Sequence, residues 1–409
     1  MHSLWFCRNP CARASGKSGC NAAMLVRESV MMPTGVYLVI GFIIAAMMSL
    51  LLTPAVKALA FKIGAVDKPN ARKVHTRIMP RLGGLAIYAA FAIGLFALLP
   101  FLPDAMLSGY DKRFIAALLS GGTIIVLIGA LDDRFELSAK VKLLGQIAAA
   151  CVVVFGFGIR ISLLNIPFGE TIEPVAEWLA IPLTILWIVG CTNAINLIDG
   201  LDGLAAGVSG IAIATILVMA VIMGSEPVML LSAPLLGGII GFLRHNFHPA
   251  KIFMGDSGSL FLGFSLATLS MLGFKQVTIV SFVTPLLIIG VPLSDTFFAI
   301  VRRVVNKRPI FAPDKGHLHH CLRELGFSHR GTVLIIYGIA AFFGLTAIFM
   351  STVVPLSSAN WVTFVVIAVL VFILQIGAEL IGIVDKSRRP VLDLLARLRM
   401  KAGFSTRSK

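Results

Sequence analysis

From residue 35 onward the chain alternates between long apolar runs and brief polar connections. About 20 helical residues span the hydrocarbon core of a bilayer, so runs of that length read as transmembrane helices. They fall at 35–56, 83–102, 113–131, 142–158, 178–192, 204–223, 228–243, 257–273, 277–300, 331–353 and 360–384. The fifth and seventh are short, which leaves them tilted, broken or wrongly bounded. The connections leave no room for a separate soluble domain. The pattern therefore predicts an all-α polytopic integral membrane protein with about 11 transmembrane helices, its membrane domain spanning 34–385 and a basic tail 386–409.

The first 33 residues break the pattern. They contain no continuous apolar stretch, so they do not form an ordinary signal peptide. The expected reading is a disordered leader or a start codon placed too early, with Met31 or Met32 as the beginning. Cys7, Cys11 and Cys20 have no partner cluster that would complete a metal or disulfide site, and Cys151, Cys191 and Cys321 imply no disulfide framework.

Composition sharpens the class. Hydrophobic residues make up 57% of the 409 and charged residues 13%, against about 25% charged in soluble domains. Charge then orients the helices. With the N-terminus outside, the inner segments hold 27 Lys and Arg and the outer ones only Lys112, Arg113, Arg160 and Lys275. That bias places the basic loops in the cytoplasm and the protein in the plasma membrane. Basic loops beside an anionic leaflet also account for the net charge of +15 without any nucleic-acid partner.

The unusual residues sort to the same side. Every histidine after the leader lies on an inner loop, and Asp132, Asp133, Asp199, Asp202 and Asp256 lie at inner helix ends or on those loops. A transporter for ions or lipid phosphate needs ionisable groups along a path through the bilayer, and this chain clusters them at one end. The carboxylates of "LDDRF", "NLIDGLDG" and "FMGDSGS" are hard oxygen donors of the kind Mg²⁺ takes together with substrate phosphates. Lys73, Arg77, Arg81, Lys140, Lys142, Arg302 and Arg303 would neutralise phosphates. Each signal has a plain alternative: an Asp pair at a helix end is ordinarily a solvated terminus, a glycine-rich segment a turn, and Phe253 packing. "HLHH" at 317–320 has metal-like spacing, yet nothing nearby completes a zinc site. Only their coincidence on one face points to phosphoryl transfer between a nucleotide-linked group and a lipid phosphate.

The segments "KPNARKVHTRIMPRLGG" (68–84), "LDDRFELSAKVKLLGQ" (131–146), "TNAINLIDGLDGLAAG" (192–207), "NFHPAKIFMGDSGSLFLG" (246–263) and "APDKGHLHHCLRELGFSHR" (312–330) carry a resemblance. In order and sidedness the chain resembles the polyprenyl-phosphate N-acetylhexosamine-1-phosphate transferases, the WecA, TagO and MraY superfamily. Its histidine loop is most similar to the branch that uses UDP-GlcNAc, including the Gram-positive enzymes that begin teichoic acid linkage units.

The resemblance implies transfer of GlcNAc-1-phosphate from UDP-GlcNAc to undecaprenyl phosphate with release of UMP. Another UDP-N-acetylhexosamine or a MurNAc-pentapeptide donor is the alternative. It also implies Mg²⁺, with Mn²⁺ as a substitute, nearest Asn196 and Asp256, and a homodimer among the expected assemblies. By the same resemblance Asp132 or Asp133 would deprotonate or position the lipid phosphate, and Asp199 and Asp202 would shape the nucleotide pocket. Phe253 would face the uracil near Asn246. His317, His319 and His320 would contact diphosphate or sugar, and Lys142 a phosphate. Direct attack by the lipid phosphate is the expected route, and a covalent intermediate on Asp133 or Asp199 the rival.

Overall fold

A computed structural model of the chain describes residues 34–68, 77–102, 109–161, 163–164, 173–273, 283–305, 307, 309 and 316–353. The leader, the tail and the expected span at 360–384 lie outside the described residues. Twelve helices run in order: α1 (Thr34–Ile63), α2 (Gly83–Leu98), α3 (Gly109–Phe135), α4 (Ala139–Cys151), α5 (Glu177–Ile198), α6 (Leu204–Met223), α7 (Glu226–Asn246), α8 (Gly255–Gly273), α9 (Val283–Ile288), α10 (Gly290–Val305), α11 (Leu318–Glu324) and α12 (His329–Val353). Among the described residues, eight helices are long and apolar enough to cross a membrane. Two antiparallel pairs of two-residue strands complete the fold, β1 (Val66–Asp67) with β2 (Met79–Pro80) and β3 (Leu163–Leu164) with β4 (Glu173–Pro174).

Two spans differ from the sequence pattern. The fifth was expected to end at 192, but α5 continues to Ile198 and carries Asn193 and Asn196 on its last turns. A carboxamide inside an apolar helix is tolerated when its polar atoms are paired. Asn193 meets that condition: its Nδ2 donates to Gln146 Oε1 at 2.6 Å and to the Val189 carbonyl at 2.8 Å. The ninth span is broken into α9 and α10. Pro292, in the first turn of α10, has no N–H to offer the Ile288 carbonyl, and its ring crowds the preceding turn.

At the centre stands α8, which packs against α2, α3, α5, α6 and α7 and is buried along nearly its whole length. Its polar side chains are mostly small hydroxyls, and those of Ser259 and Thr268 donate back to the helix's own carbonyls. Phe261 and Phe264 fill the contacts with its neighbours. At its first turn side chains would hold the helices apart, and glycines remove them. A Cβ on Gly84 of α2 would collide with Gly258, and one on Gly129 of α3 with the Ser257 backbone. Around this turn gather the ends of α3 and α5 and the starts of α2 and α4.

Candidate active site

The start of α8 is fixed by a carboxylate from another helix. Asp133, near the end of α3, accepts the Asp256 N–H on Oδ1 at 2.8 Å and the Ser257 N–H on Oδ2 at 3.1 Å. First-turn amides have no partner within their own helix, and a carboxylate there also matches the helix dipole. Asp133 is 3% exposed, so both of its oxygens are spent on backbone. Gly255 takes a left-handed φ of +71° directly against that carboxylate, which leaves no room for a Cβ.

Beside this cap lies a compact charged cluster. Lys142 of α4 places Nζ 2.9 Å from Asp256 Oδ2 and 3.3 Å from Asp132 Oδ2. Asn196, one turn beyond Asn193 on α5, donates to Ser259 Oγ at 2.8 Å and also reaches Asp256. Asp132 Oδ1 is buried with no hydrogen-bond partner. Two carboxylates, one of them with an oxygen left unpartnered, and a carboxamide form at one point the hard oxygen set that suits a divalent cation such as Mg²⁺. Asp199, which follows α5, adds a third carboxylate. Burial, with the charges of Asp256 and Asp133 behind it, pushes its pKa up to about 8. A bound cation would favour its charged form again.

The HLHH segment is anchored in the same manner. Asp295 of α10 accepts the Leu318 N–H at 2.9 Å and meets His317 Nδ1 at 3.0 Å. His317 is thus held behind the site and does not line the cavity, whereas His319 and His320 do. Gly200 makes room for the His319 ring, which a Cβ would strike. Burial lowers the His319 pKa to about 4, so that ring is neutral near pH 7. Arg302 packs against Gly316 at the start of this segment, and neither it nor Arg303 lines the cavity, contrary to their expected role as substrate contacts.

A cavity of about 580 Å³ opens over these groups. Of the expected residues, Lys142, Asn196, Asp199, Asp202, Asp256, Phe253, Arg77 and Asn246 line it together with the two histidines, while Asp132, Asp133 and His317 stand behind its wall. Phe253 is held rigidly, its N–H donating to the Pro80 carbonyl at 2.9 Å and its own carbonyl accepting from Gly83 at 3.1 Å. Asn246 is a clamp: Oδ1 accepts the Gly203 N–H at 3.1 Å and Nδ2 donates to the Ile252 carbonyl at 3.0 Å. Its amide is occupied with backbone. The sequence reading placed His248 and His329 on inner loops without a role and left Asp67 out, yet all three line the cavity. The signal for the two histidines was present in their loop placement, but only the fold brings together positions so far apart in the chain.

Comparison with known proteins gives the family. Residues 115–274, which contain Asp132, Asp133, Lys142, Asn196 and Asp256, match the model of glycosyl transferase family 4. A probable undecaprenyl-phosphate N-acetylglucosaminyl 1-phosphate transferase of Bacillus subtilis is 47% identical over 364 residues, 88% of this chain and 97% of that protein. The chain belongs to glycosyl transferase family 4. Two further members are more distant. A decaprenyl-phosphate N-acetylglucosaminephosphotransferase of Mycobacterium tuberculosis is 39% identical over 75% of this chain and 81% of its own. An undecaprenyl-phosphate alpha-N-acetylglucosaminyl 1-phosphate transferase of Escherichia coli is 31% identical over 70% of this chain and 76% of its own. The motifs at 68–84, 131–146, 192–207, 246–263 and 312–330 therefore belong to a family 4 transferase of the WecA, TagO and MraY superfamily.

Proposed function

We propose that this transferase moves GlcNAc-1-phosphate from UDP-GlcNAc to undecaprenyl phosphate, giving undecaprenyl-diphospho-GlcNAc and UMP at the cytoplasmic face of the plasma membrane. The product would be the first lipid-linked intermediate of a cell-wall polymer such as teichoic acid. The observation that carries the reading is the convergence of Lys142, Asn196 and Asp256 at one wall of a 580 Å³ cavity, with Asp132 directly behind Lys142. The names of the relatives support the acceptor and the GlcNAc-1-phosphate group transferred, from which UDP-GlcNAc is inferred as donor, and the excess of Lys and Arg on the inner segments supports the cytoplasmic side.

Two phosphorylated substrates repel one another, and bound Mg²⁺ would neutralise the diphosphate while Asp256, Asp132 and Asn196 hold it. Lys142 is placed to screen a phosphate oxygen beside them. Phe253 offers a flat apolar face on a fixed loop, suited to a base. Neutral His319 can donate a hydrogen bond to a diphosphate oxygen and accept one from a sugar hydroxyl. Asp133 has both oxygens committed to backbone, which supports direct attack by the lipid phosphate over an aspartyl intermediate at that residue. The test is a panel of UDP-sugars with purified protein, undecaprenyl phosphate and Mg²⁺, reading lipid-linked product. UDP-GlcNAc should be used best. Preference for UDP-GalNAc or UDP-MurNAc-pentapeptide would overturn the donor, and no product with any of them would overturn the reaction.

A further inference from the structure

Among the described residues, a second group of side chains besides the cluster around Lys142 has the chemistry of a metal site. Asp202, from the turn after α5, His248, from the loop after α7, and His329, the first residue of α12, place one ligand atom each within 4.8 Å of one another. Asp202 Oδ2 lies 2.7 Å from His248 Nδ1 and also accepts the Ala250 N–H at 3.1 Å. The His248 and His329 rings stack with centroids 4.1 Å apart. His329 Nε2 is buried with no hydrogen-bond partner, a cost the fold carries without visible return.

From this arrangement we infer that Asp202, His248 and His329 form a transition-metal site of the Zn²⁺ class in the cavity wall. Two imidazoles, which are borderline donors, beside one carboxylate select Zn²⁺ over Mg²⁺, which prefers oxygen alone. Three protein ligands leave one coordination position, and all three residues line the cavity, so that position opens onto it. A Zn²⁺ ion there would join three segments remote in sequence: the 199–203 turn, the 247–252 loop and the start of α12. The His329 orphan nitrogen would gain its partner. The inference stands on these side chains and does not depend on the donor or acceptor proposed above.

The experiment uses the full chain in detergent, equilibrated with equimolar ZnCl₂ under excess MgCl₂, then desalted and measured for zinc. Native protein should retain one zinc per chain, and Asp256→Asn, which alters the other cluster, should retain as much. His248→Gln and His329→Gln should each weaken retention by more than about tenfold, since even outer-shell changes at metal sites cost about 10–100-fold. Co²⁺ in place of Zn²⁺ should give visible absorption bands in native protein that both variants lose. No retained zinc in native protein, or equal zinc in both histidine variants, would overturn the site. Where a variant does not fold, thermal unfolding of native protein decides: ZnCl₂ should raise the midpoint where further MgCl₂ does not, and the absence of that rise also overturns it.

Discussion

Two short stretches of this protein are built on the same device and do different work. At the start of α8, Asp133 reaches across from α3 and accepts two backbone N–H groups. At the start of α11, Asp295 reaches across from α10, accepts one and holds a histidine with its other oxygen. In each case a buried carboxylate from one helix fixes the first turn of another. The first turn of α8 carries Asp256 into the cluster with Lys142, and the first turn of α11 carries His319 and His320 into the cavity. The helices so fixed differ: α8 is nineteen residues long and enclosed by its neighbours, whereas α11 has seven residues and packs chiefly against α12. The lesson is that acidic residues beside a polar cavity need not touch substrate. Position in the hydrogen-bond order, rather than proximity in sequence, separates the groups that act from those that aim them.

That comparison is most easily broken at Asp133. Asp133→Ala strips two buried amides of their acceptor, at about 1–3 kcal/mol each, and frees Asp256 from its position. Activity should fall by about 100-fold or more, the scale of a misplacement near 1 Å. The Mg²⁺ concentration for half-maximal activity should rise in the residual enzyme. Full activity at an unchanged Mg²⁺ requirement would show that the cap does not aim Asp256. Asp295→Asn should cost less, because one carbonyl oxygen still accepts an N–H. The loss expected is about 1.5 kcal/mol, roughly tenfold in rate, with the Mg²⁺ requirement unchanged. A shift in Mg²⁺ requirement there would erase the distinction between the two devices.

The second stretch carries a pH signature of its own. His319 has its folded pKa lowered to about 4 by burial, below the roughly 6.5 of an unfolded histidine. As pH falls below about 6.5 the unfolded chain takes up this proton before the folded one does. The neutral ring therefore contributes stability that is complete above about 6.5 and lost progressively toward about 4. The thermal midpoint of native protein should drop across that window more than that of His319→Gln. Parallel curves would mean that His319 is not held neutral. The smallest effect is expected between the two helices that bring Lys142 and Asn196 together. Gln146 and Asn193 exchange carboxamide contacts one turn deeper, with Gln146 Nε2 3.4 Å from Asn193 Oδ1. Hydrogen bonds between membrane helices average about 0.6 kcal/mol, so a double-mutant cycle on Gln146→Leu and Asn193→Leu should return a coupling of that order. A coupling indistinguishable from zero would remove the pair as a clasp.

How far the sequence reaches depends on what each feature requires. Spans such as 204–223 were legible to the residue, because a membrane-spanning helix advertises itself by length and apolarity and Gly203 and Gly224 close it with left-handed φ. The extension of α5 to Ile198 was not, because Asn193 and Asn196 look like loop residues until Gln146 and Ser259 supply partners. The break before α10 needed the position of Pro292 relative to Ile288, which an apolar count ignores. The clustering of Asp132, Lys142, Asn196 and Asp256 was foreseen as chemistry on one face. The division of labour within "DD" was not, because two adjacent aspartates look alike until one is found capping α8. His317 and His319 were equally hard to tell apart, since Asp295 is remote in sequence and claims only the first.

The central claim is that Asp256 and its neighbours form a divalent-cation site on which transfer depends. The measurement that tests it most directly is UMP release from UDP-GlcNAc and undecaprenyl phosphate by purified native protein and by Asp256→Asn, each titrated with Mg²⁺ after chelation. Native protein should be inactive without the ion and saturate as it is restored. Asp256→Asn, folded to the same thermal midpoint, should remain inactive or require far more Mg²⁺. Turnover by chelated native protein, or equal turnover by the variant at limiting Mg²⁺, would contradict the account.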